Sequence, residues 1–346
     1  MLEVRNLSIR LGEFSLHDVT LRVEKGQYLC FAGPTGAGKT VLLECVAGLH
    51  RPDRGTILLH GYDVTSLVPE ARGIGYVPQD YALFPHMTVF ENIAYGLRER
   101  GVRREAVTKK VRGVAETMQI AYLLERDVLH LSGGERQRTA FARALVLDCE
   151  LLLLDESLSA LDVVTTKELS LQLADLHHQL GLTVVHVTHD FDEAFSLATH
   201  IGICHQGRLL QLDTVEEVFT RPTCRTVAEF VGIANVFPRL GADPQTCPVV
   251  SRLYQSPTQE LSGRCVCIRP DQLRCSRNGP SAAGLTIPGT VRQVRWLGPL
   301  HEVMLDAGVS MIATISRQEQ ETLRLRPGER VSIHVPDEAV HVLDDC

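Results

Sequence analysis

Residues 33–40 run Gly33, Pro34, Thr35, Gly36, Ala37, Gly38, Lys39 and Thr40, the G-x-x-x-x-G-K-[ST] spacing that cradles a phosphate chain. Its glycines let the backbone fold with N–H groups pointing inward, and the positive end of a following helix adds to the attraction. At this spacing the lysine reaches the β and γ phosphates and the threonine hydroxyl ligates Mg²⁺; Val41 follows the loop as a candidate nucleotide contact. Such an octapeptide also arises by chance, so its neighbours must support it. A carboxylate partner for the metal is offered by residues 151–156, four leucines followed by Asp155 and Glu156. Ligands of open α/β sheets gather at the carboxyl ends of the strands. Asp155 is therefore placed to hold Mg²⁺ through its water shell, and Glu156 to polarise a water against the γ-phosphate. An acidic strand end that only caps a turn would read the same from these residues alone. A second anion site is offered by Ser132, Gly133 and Gly134, which with Glu135 open a helical stretch whose N-terminus can face a phosphate.

These groups need elements to aim them. Residues 27–32, with Tyr-Leu-Cys-Phe at their centre, read as a buried strand delivering the phosphate loop, and residues 41–48 repeat apolar positions at helical spacing. Upstream, residues 2–11 and 14–23 alternate apolar and polar side chains around Gly12 and Glu13, as an antiparallel β-subdomain with room for adenine would. Residues 56–59 and 61–63 read as a hairpin, and 73–79 as a short buried strand ending in the polar Gln79. From 89 to 126 the period is helical, with Val107, Val111, Val114 and Met118 on one face; the charged stretch 98–110 reads as a solvated helix surface. Leu151 to Leu154 show no alternation, as a parallel strand covered on both faces requires. A helix at 163–180, strands at 183–188, 201–204 and 209–212, and a helix at 214–220 complete βαβ punctuation. The texture changes near Asn235. Short alternating runs at 291–294, 303–305, 311–315 and 331–335, separated by Pro and Gly, predict a separate small β-barrel.

Length and charge set the outer limits. At 346 residues the chain exceeds one ordinary domain. With 35 basic and 42 acidic side chains its net charge is −7, so no global basic field draws it to nucleic acid or anionic lipid. No apolar run approaches the ~18 residues that a membrane helix needs, and the N-terminus starts a strand-like pattern in place of a signal peptide. The ten cysteines are scattered, and apolar surroundings such as those of Cys30, Cys45 and Cys149 suit buried free thiols in a reducing compartment. Cys265, Cys267 and Cys275 form the one cluster, but the alternation Cys-Val-Cys-Ile reads as a strand better than as a metal site.

Residues 131–138, Leu-Ser-Gly-Gly-Glu-Arg-Gln-Arg, lie between the phosphate loop and Asp155-Glu156. That order and that octapeptide closely resemble the signature of ABC transporter nucleotide-binding subunits. The resemblance implies an α/β P-loop NTPase fold of the ABC-cassette type over residues 1–234. Its parts would be a RecA-like core, an antiparallel β-subdomain and a helical subdomain at about 80–145. It implies ATP and Mg²⁺ as cofactors and an ATPase reaction. In the family, Ser132 to Glu135 contact ATP held by the other subunit's loop, so that nucleotide joins two cassettes head to tail. Gln79 resembles the glutamine that senses Mg²⁺ and the γ-phosphate. Ser159 to Asp162 resembles the loop that crosses the dimer. His189, following a strand, resembles the switch histidine that contacts the γ-phosphate and orients Glu156. The catalytic set so implied is Glu156, His189, Lys39 and Gln79, with Thr40, Gln79 and Asp155 at the metal. Two positions depart from the family pattern: Ser157 replaces a proline, and Leu11 stands where relatives carry the adenine-stacking aromatic, leaving Phe14 as a substitute.

The family serves transporters or soluble machines, and transport is favoured because neither a second cassette nor a long coiled-coil insertion is present. Residues 79–95 resemble the importer groove that receives a helix of the permease, with Tyr81, Leu83, Phe84 and Met87 as its apolar lining or, equally, as core. Residues 267–271, 289–291, 296–298 and 326–333 resemble the oligonucleotide-binding-like barrel called TOBE, giving a small all-β OB-like domain at 235–346. One Trp, and no basic-aromatic alternation, speaks against nucleic acid. Residues 33–44 and 77–86 look most like the molybdate/tungstate importers; iron(III), sulfate, polyamine and sugar importers share the catalytic motifs. The implied setting is a homodimer, peripheral on the cytoplasmic face of the inner membrane, working beneath multi-span permease subunits and, indirectly, a solute-binding protein.

Overall fold

The computed structural model describes residues 1–157, 163–238, 253, 265–277 and 284–344. The chain divides into two compact units, Met1–Val215 and Glu216–Cys346. In the first, β1 (Leu2–Leu11) and β2 (Phe14–Val23) precede β3 (Tyr28–Ala32) and α1 (Lys39–Ala47). Then follow β4 (Arg54–Leu59), β5 (Tyr62–Asp63) and β6 (Gly75–Val77). Three helices come next, α2 (Val89–Glu99), α3 (Arg104–Thr117) and α4 (Gly133–Leu145). The unit closes with β7 (Leu151–Asp155), α5 (Val163–Leu180), β8 (Thr183–Val187), α6 (Phe191–Leu197), β9 (His200–His205) and β10 (Arg208–Thr214).

A six-stranded sheet in the order β10-β9-β3-β8-β7-β6 is parallel except for β10, and a four-stranded antiparallel sheet runs β2-β1-β4-β5. Strands β3, β7 and β8 are buried along their whole length, and their mainly apolar runs show no alternation, as strands covered on both faces require. Strand β1 instead alternates, sending Leu2, Val4, Leu7 and Ile9 inward. Leu42, Leu43, Cys45 and Val46 of α1 share one core with those side chains and with Phe31, Leu153 and Val187 of the parallel sheet. Helix α1 is thus held between the two sheets, which fixes the phosphate loop at its N-terminus. Helices α2, α3 and α4 pack on one another. On α3 the predicted face turns inward at Val107 and Val111 and continues to Met118, with Ala115 buried beside the half-buried Val114.

The far end of α1 depends on one side chain. Buried Arg72 donates to the carbonyls of Cys45 (2.8 Å), Val46 (2.8 Å), Leu67 (3.0 Å) and Thr65 (3.1 Å). The last carbonyls of a helix lack internal partners, and a buried orphan is costly. Replacing Arg72 with Met is expected to lower unfolding free energy by about 3 kcal/mol, read from the urea midpoint at unchanged slope.

A second stability prediction concerns β8. His186 is fully buried, with Nδ1 3.3 Å from the Tyr28 hydroxyl, Cys30 Sγ at 3.9 Å and a Glu193 carboxylate oxygen 4.0 Å from Nε2. Burial pushes its pKa down to about 4. Below about pH 6.5 the unfolded chain therefore takes up a proton that the folded chain refuses. Stability present above pH 6.5 should fall on the order of 3 kcal/mol as pH drops toward 4, and His186→Phe should flatten that arm of a pH series of urea midpoints.

The second unit begins with α7 (Val215–Thr220) and α8 (Arg225–Phe230), then β11 (Asn235–Pro238), β12 (Cys265–Ile268), β13 (Arg274–Ser276), β14 (Leu285–Leu297), β15 (Leu300–Asp306) and β16 (Ser310–Ser316). It ends with α9 (Arg317–Leu323), β17 (Arg330–Val335) and β18 (Val340–Leu343). Its antiparallel sheets run β11-β12-β18 and β13-β17-β14-β15-β16. Strand β14 pairs with β17 through its first half and with β15 through its second, so one long strand curls the larger sheet. Buried Asn235 ties the sheets together, donating to the Ile268 and Ile312 carbonyls and accepting from the Ile312 amide at 2.7 Å. Cys265 and Cys267 lie on β12 as expected of a strand, and the seven free cysteines among the described residues are buried. Cys224 is disulfide-bonded, a departure from the reduced state that the sequence suggested.

Candidate nucleotide site

Strand β3 ends at Ala32 and the loop turns at once through Gly33. A Cβ there would lie 2.1 Å from the Cys204 carbonyl oxygen, so only glycine lets the loop pass β9. Gly38, at φ 99, caps α1, and a Cβ on it would lie 2.5 Å from both Phe14 and Leu16. The half-buried Phe14 ring thus lies against the loop.

Lys39 differs from the simplest expectation. Its ammonium is folded back, donating to the carbonyls of Gly33 (2.8 Å) and Pro34 (3.0 Å), and the residue is buried. Burial holds its pKa below the usual lysine value, opposed by the nearby Glu156 and Asp155 carboxylates. Thr40, one residue on, donates its hydroxyl to Asp155 Oδ1 at 2.9 Å. Asp155 ends β7 and is buried, and that burial raises its pKa against the opposing Thr40 bond.

Glu156 follows at φ 42, a left-handed conformation that costs a non-glycine residue roughly 1–2 kcal/mol. Its amide donates to the Val187 carbonyl at 2.9 Å, pinning the bend to β8. The bend brings the carboxylate between two other polar groups. Gln79 Nε2 donates to Glu156 Oε2 at 3.3 Å, and His189 Nδ1 lies 3.7 Å from the same oxygen. The turn carrying His189 is braced from below: Thr188 donates to the buried Glu193 at 2.6 Å and accepts from the Asp190 amide at 3.0 Å. Residues separated by 77 positions thus converge where β6, β7 and β8 end. Ser157 is buried, and its hydroxyl has no hydrogen-bond partner among the described residues.

Ser132 is the N-cap of α4. It forms a capping box in which its hydroxyl accepts from the Glu135 amide at 3.3 Å and its own amide donates to the Glu135 carboxylate at 2.7 Å. Gly133 and Gly134 are therefore the first helical residues, and the same hydrogen bond from the Ser132 amide holds the Glu135 carboxyl below its usual pKa. No contact joins this helix end to Lys39, Thr40 or Glu156 among the described hydrogen bonds and ion pairs. The Ser159–Asp162 segment lies outside the described residues. Of the four apolar side chains that could be groove lining or core, Tyr81 is buried as core, whereas Leu83, Phe84 and Met87 are half-buried.

Two further side chains hold the segment after Gln79. Asn92, fully buried on α2, accepts from the Phe84 amide and donates to the carbonyls of Phe84, Met87 and Thr88. Arg143 on α4 donates to the carbonyls of Tyr81 (2.7 Å) and Ala82 (2.6 Å). Polar residues inside otherwise apolar helix faces were the available hint.

A phosphate loop, a hydroxyl-carboxylate pair behind it and a glutamate at the strand ends define the site of a P-loop ATPase. The ABC transporter family model matches residues 16–159, and the TOBE domain model matches residues 266–343. The chain is 41% identical over 344 residues to the molybdate/tungstate import ATP-binding protein WtpC of Pyrococcus horikoshii, covering 99% of each. It is 47% identical to the protein of that name from Thermococcus kodakarensis, over 79% of this chain and 82% of that one. A sulfate/thiosulfate import ATP-binding protein of Bradyrhizobium diazoefficiens is 38% identical over 96% of both. In structure it resembles the dimeric ABC transporter cassette MJ0796, with a TM-score of 0.57 at 26% identity over 62% of this chain and 99% of that one. That cassette is also known as a dimer bound to ADP and Pi after hydrolysis. The chain belongs to the ABC transporter family, as an ATP-hydrolysing import subunit with a C-terminal TOBE domain. Among the described residues no helix is long and apolar enough to cross a membrane.

Proposed function

We propose that two copies of this chain close head to tail over ATP and drive uptake of molybdate or tungstate through membrane permease subunits. The observation that carries the catalytic part is the meeting of Gln79, Glu156 and His189 at one carboxylate oxygen, beside the Thr40–Asp155 pair. Lys39 exchanges its two loop carbonyls for β and γ phosphate oxygens, and the backbone N–H groups of the loop, Pro34 excepted, wrap the phosphate chain. The Thr40 hydroxyl, the Asp155 carboxylate and the Gln79 amide oxygen form a hard-oxygen donor set that fits Mg²⁺. When bound, that ion neutralises charge developing between the β and γ oxygens.

Glu156 is the base that orients and polarises the attacking water, and His189 holds the carboxylate and meets the γ-phosphate. Ser132, Gly133, Gly134 and Glu135 of the second copy complete the site from its open side, with Asp162 crossing between the copies. The half-buried Leu83, Phe84 and Met87 present the groove that a permease helix enters. The domain boundary that suits this division of labour lies at 234/235, with the protein held peripherally on the cytoplasmic face of the membrane.

The cargo assignment rests on the relatives' names and is tested by reconstitution with permease subunits and a molybdate/tungstate-binding receptor from the same organism. Molybdate or tungstate loaded on the receptor should raise ATPase rate at least several-fold. Stimulation by sulfate, a polyamine or a sugar, with none by molybdate or tungstate, would overturn it.

A further inference from the structure

His189 is exposed, and its Nδ1 lies 3.7 Å from Glu156 Oε2, beyond hydrogen-bond distance. Its aim at that carboxylate is therefore set by the backbone that carries it, and that backbone is fixed on both sides. Before it, the Thr188 amide donates to the Phe31 carbonyl at 3.1 Å, holding the end of β8 to β3. After it, Asp190 caps α6, accepting from the amides of Asp192 at 2.7 Å and Glu193 at 3.4 Å. One small ring joins the two sides across His189. The Asp190 amide donates to the Thr188 hydroxyl at 3.0 Å, that hydroxyl donates to Glu193 Oε2 at 2.6 Å, and the Glu193 amide returns to the Asp190 carboxylate.

Thr188 and Glu193 are buried, and a hydroxyl bond this short to a carboxyl oxygen is among the strong ones. Behind the same oxygen His186 Nε2 lies at 4.0 Å, which confines the carboxyl between the turn and the core. Burial raises the Glu193 pKa against the Thr188 bond, and the charges of Asp190, His189 and Glu156 also act on it. Glu193 is thus a second carboxyl directly behind the catalytic pair. We propose that Glu193 and Thr188 are positioning residues for ATP hydrolysis: the ring they close holds His189 toward Glu156, and loosening it costs turnover while sparing nucleotide affinity. The inference rests on the reading of His189 as the group that orients Glu156.

A double-mutant cycle on steady-state ATP hydrolysis by the full chain tests it, with Glu193→Met and His189→Ala made singly and together. Glu193→Met removes the acceptor and keeps the length of the side chain. It should lower kcat at least about tenfold and leave the KM for Mg²⁺-ATP within about twofold, because a misplaced catalytic group costs rate before it costs binding. Added to His189→Ala, the same substitution should lower kcat less than about twofold, since the group it positions is already gone. Glu193→Gln, which keeps an oxygen within reach of the Thr188 hydroxyl, should recover most of the lost rate. A merely structural role would lower kcat by the same factor in both backgrounds, and that result, or a parental kcat in Glu193→Met, overturns the proposal. If Glu193→Met fails to fold, Thr188→Val and Thr188→Ser decide in its place. A loss in Thr188→Val only where His189 is present, with recovery in Thr188→Ser, supports the ring; equal losses in both backgrounds, or a parental kcat in Thr188→Val, overturn it. Parental turnover in His189→Ala itself would defeat the reading of His189, and the inference with it, a result distinct from equal losses in both backgrounds.

Discussion

Glu156→Gln should lower steady-state ATP turnover roughly 10²–10⁴-fold, the range that a positioned general base supplies, while leaving ATP binding intact. The amide keeps the shape of the side chain and its place near Gln79 and His189, 3.3 and 3.7 Å away in the wild type. It loses only the ability to draw a proton from water. A filter-binding assay beside a phosphate-release assay separates the two quantities. Turnover within threefold of wild type would remove Glu156 from the role of base and leave its left-handed backbone at φ 42 without a catalytic reason.

Lys39→Ala should strike earlier, at binding. Removing even one preorganised hydrogen-bond donor from a water-excluded site costs roughly 10²–10³-fold in rate, and Lys39 adds a full charge to that donor role. The lysine is already buried, with its charge penalised by desolvation and held by two loop carbonyls. ATP therefore offers it oxygens carrying full charge in exchange for neutral ones. Wild type at about 100 times its dissociation constant gains about 2.7 kcal/mol of stability from the ligand. Thermal unfolding with and without ATP should show this shift in wild type and its loss in Lys39→Ala. An equal shift in both would show that the loop amides suffice and that Lys39 acts only on the transition state.

The conformation of the two glycine-rich segments was legible from the sequence, because a loop of eight residues and a capped helix start are local structures. Gly33 to Thr40 and Ser132 to Glu135 fold as their spacing requires, with glycine where Cys204 and Phe14 leave no room for a side chain. The strands were legible for the same reason: β1 alternates and β7 does not. What sequence could not show is which distant polar group meets which backbone. Arg143 and Tyr81 are 62 residues apart, and Arg72 closes a helix that ends 25 positions earlier. Nor does an aperiodic apolar run such as 81–87 say which side chain turns inward; the left-handed turn at Tyr81 and Ala82 settles it by burying Tyr81. Lys39 illustrates a further limit, since its motif names the partner it takes with ligand and not the carbonyls that hold it otherwise.

The central claim is that half of each ATP site belongs to a second copy of the chain. Light scattering of Glu156→Gln across an ATP titration in Mg²⁺, beside Glu156→Gln with Ser132→Arg, tests it most directly. The substitution at Ser132 costs the helix cap about 1 kcal/mol, which leaves the fold in place, and it fills the approach to the opposing phosphate. ATP should double the mass of the single variant and leave the double variant unchanged in mass although it still binds ATP. A mass that stays constant in Glu156→Gln at saturating ATP, or that doubles equally in both chains, would contradict a site shared through Ser132.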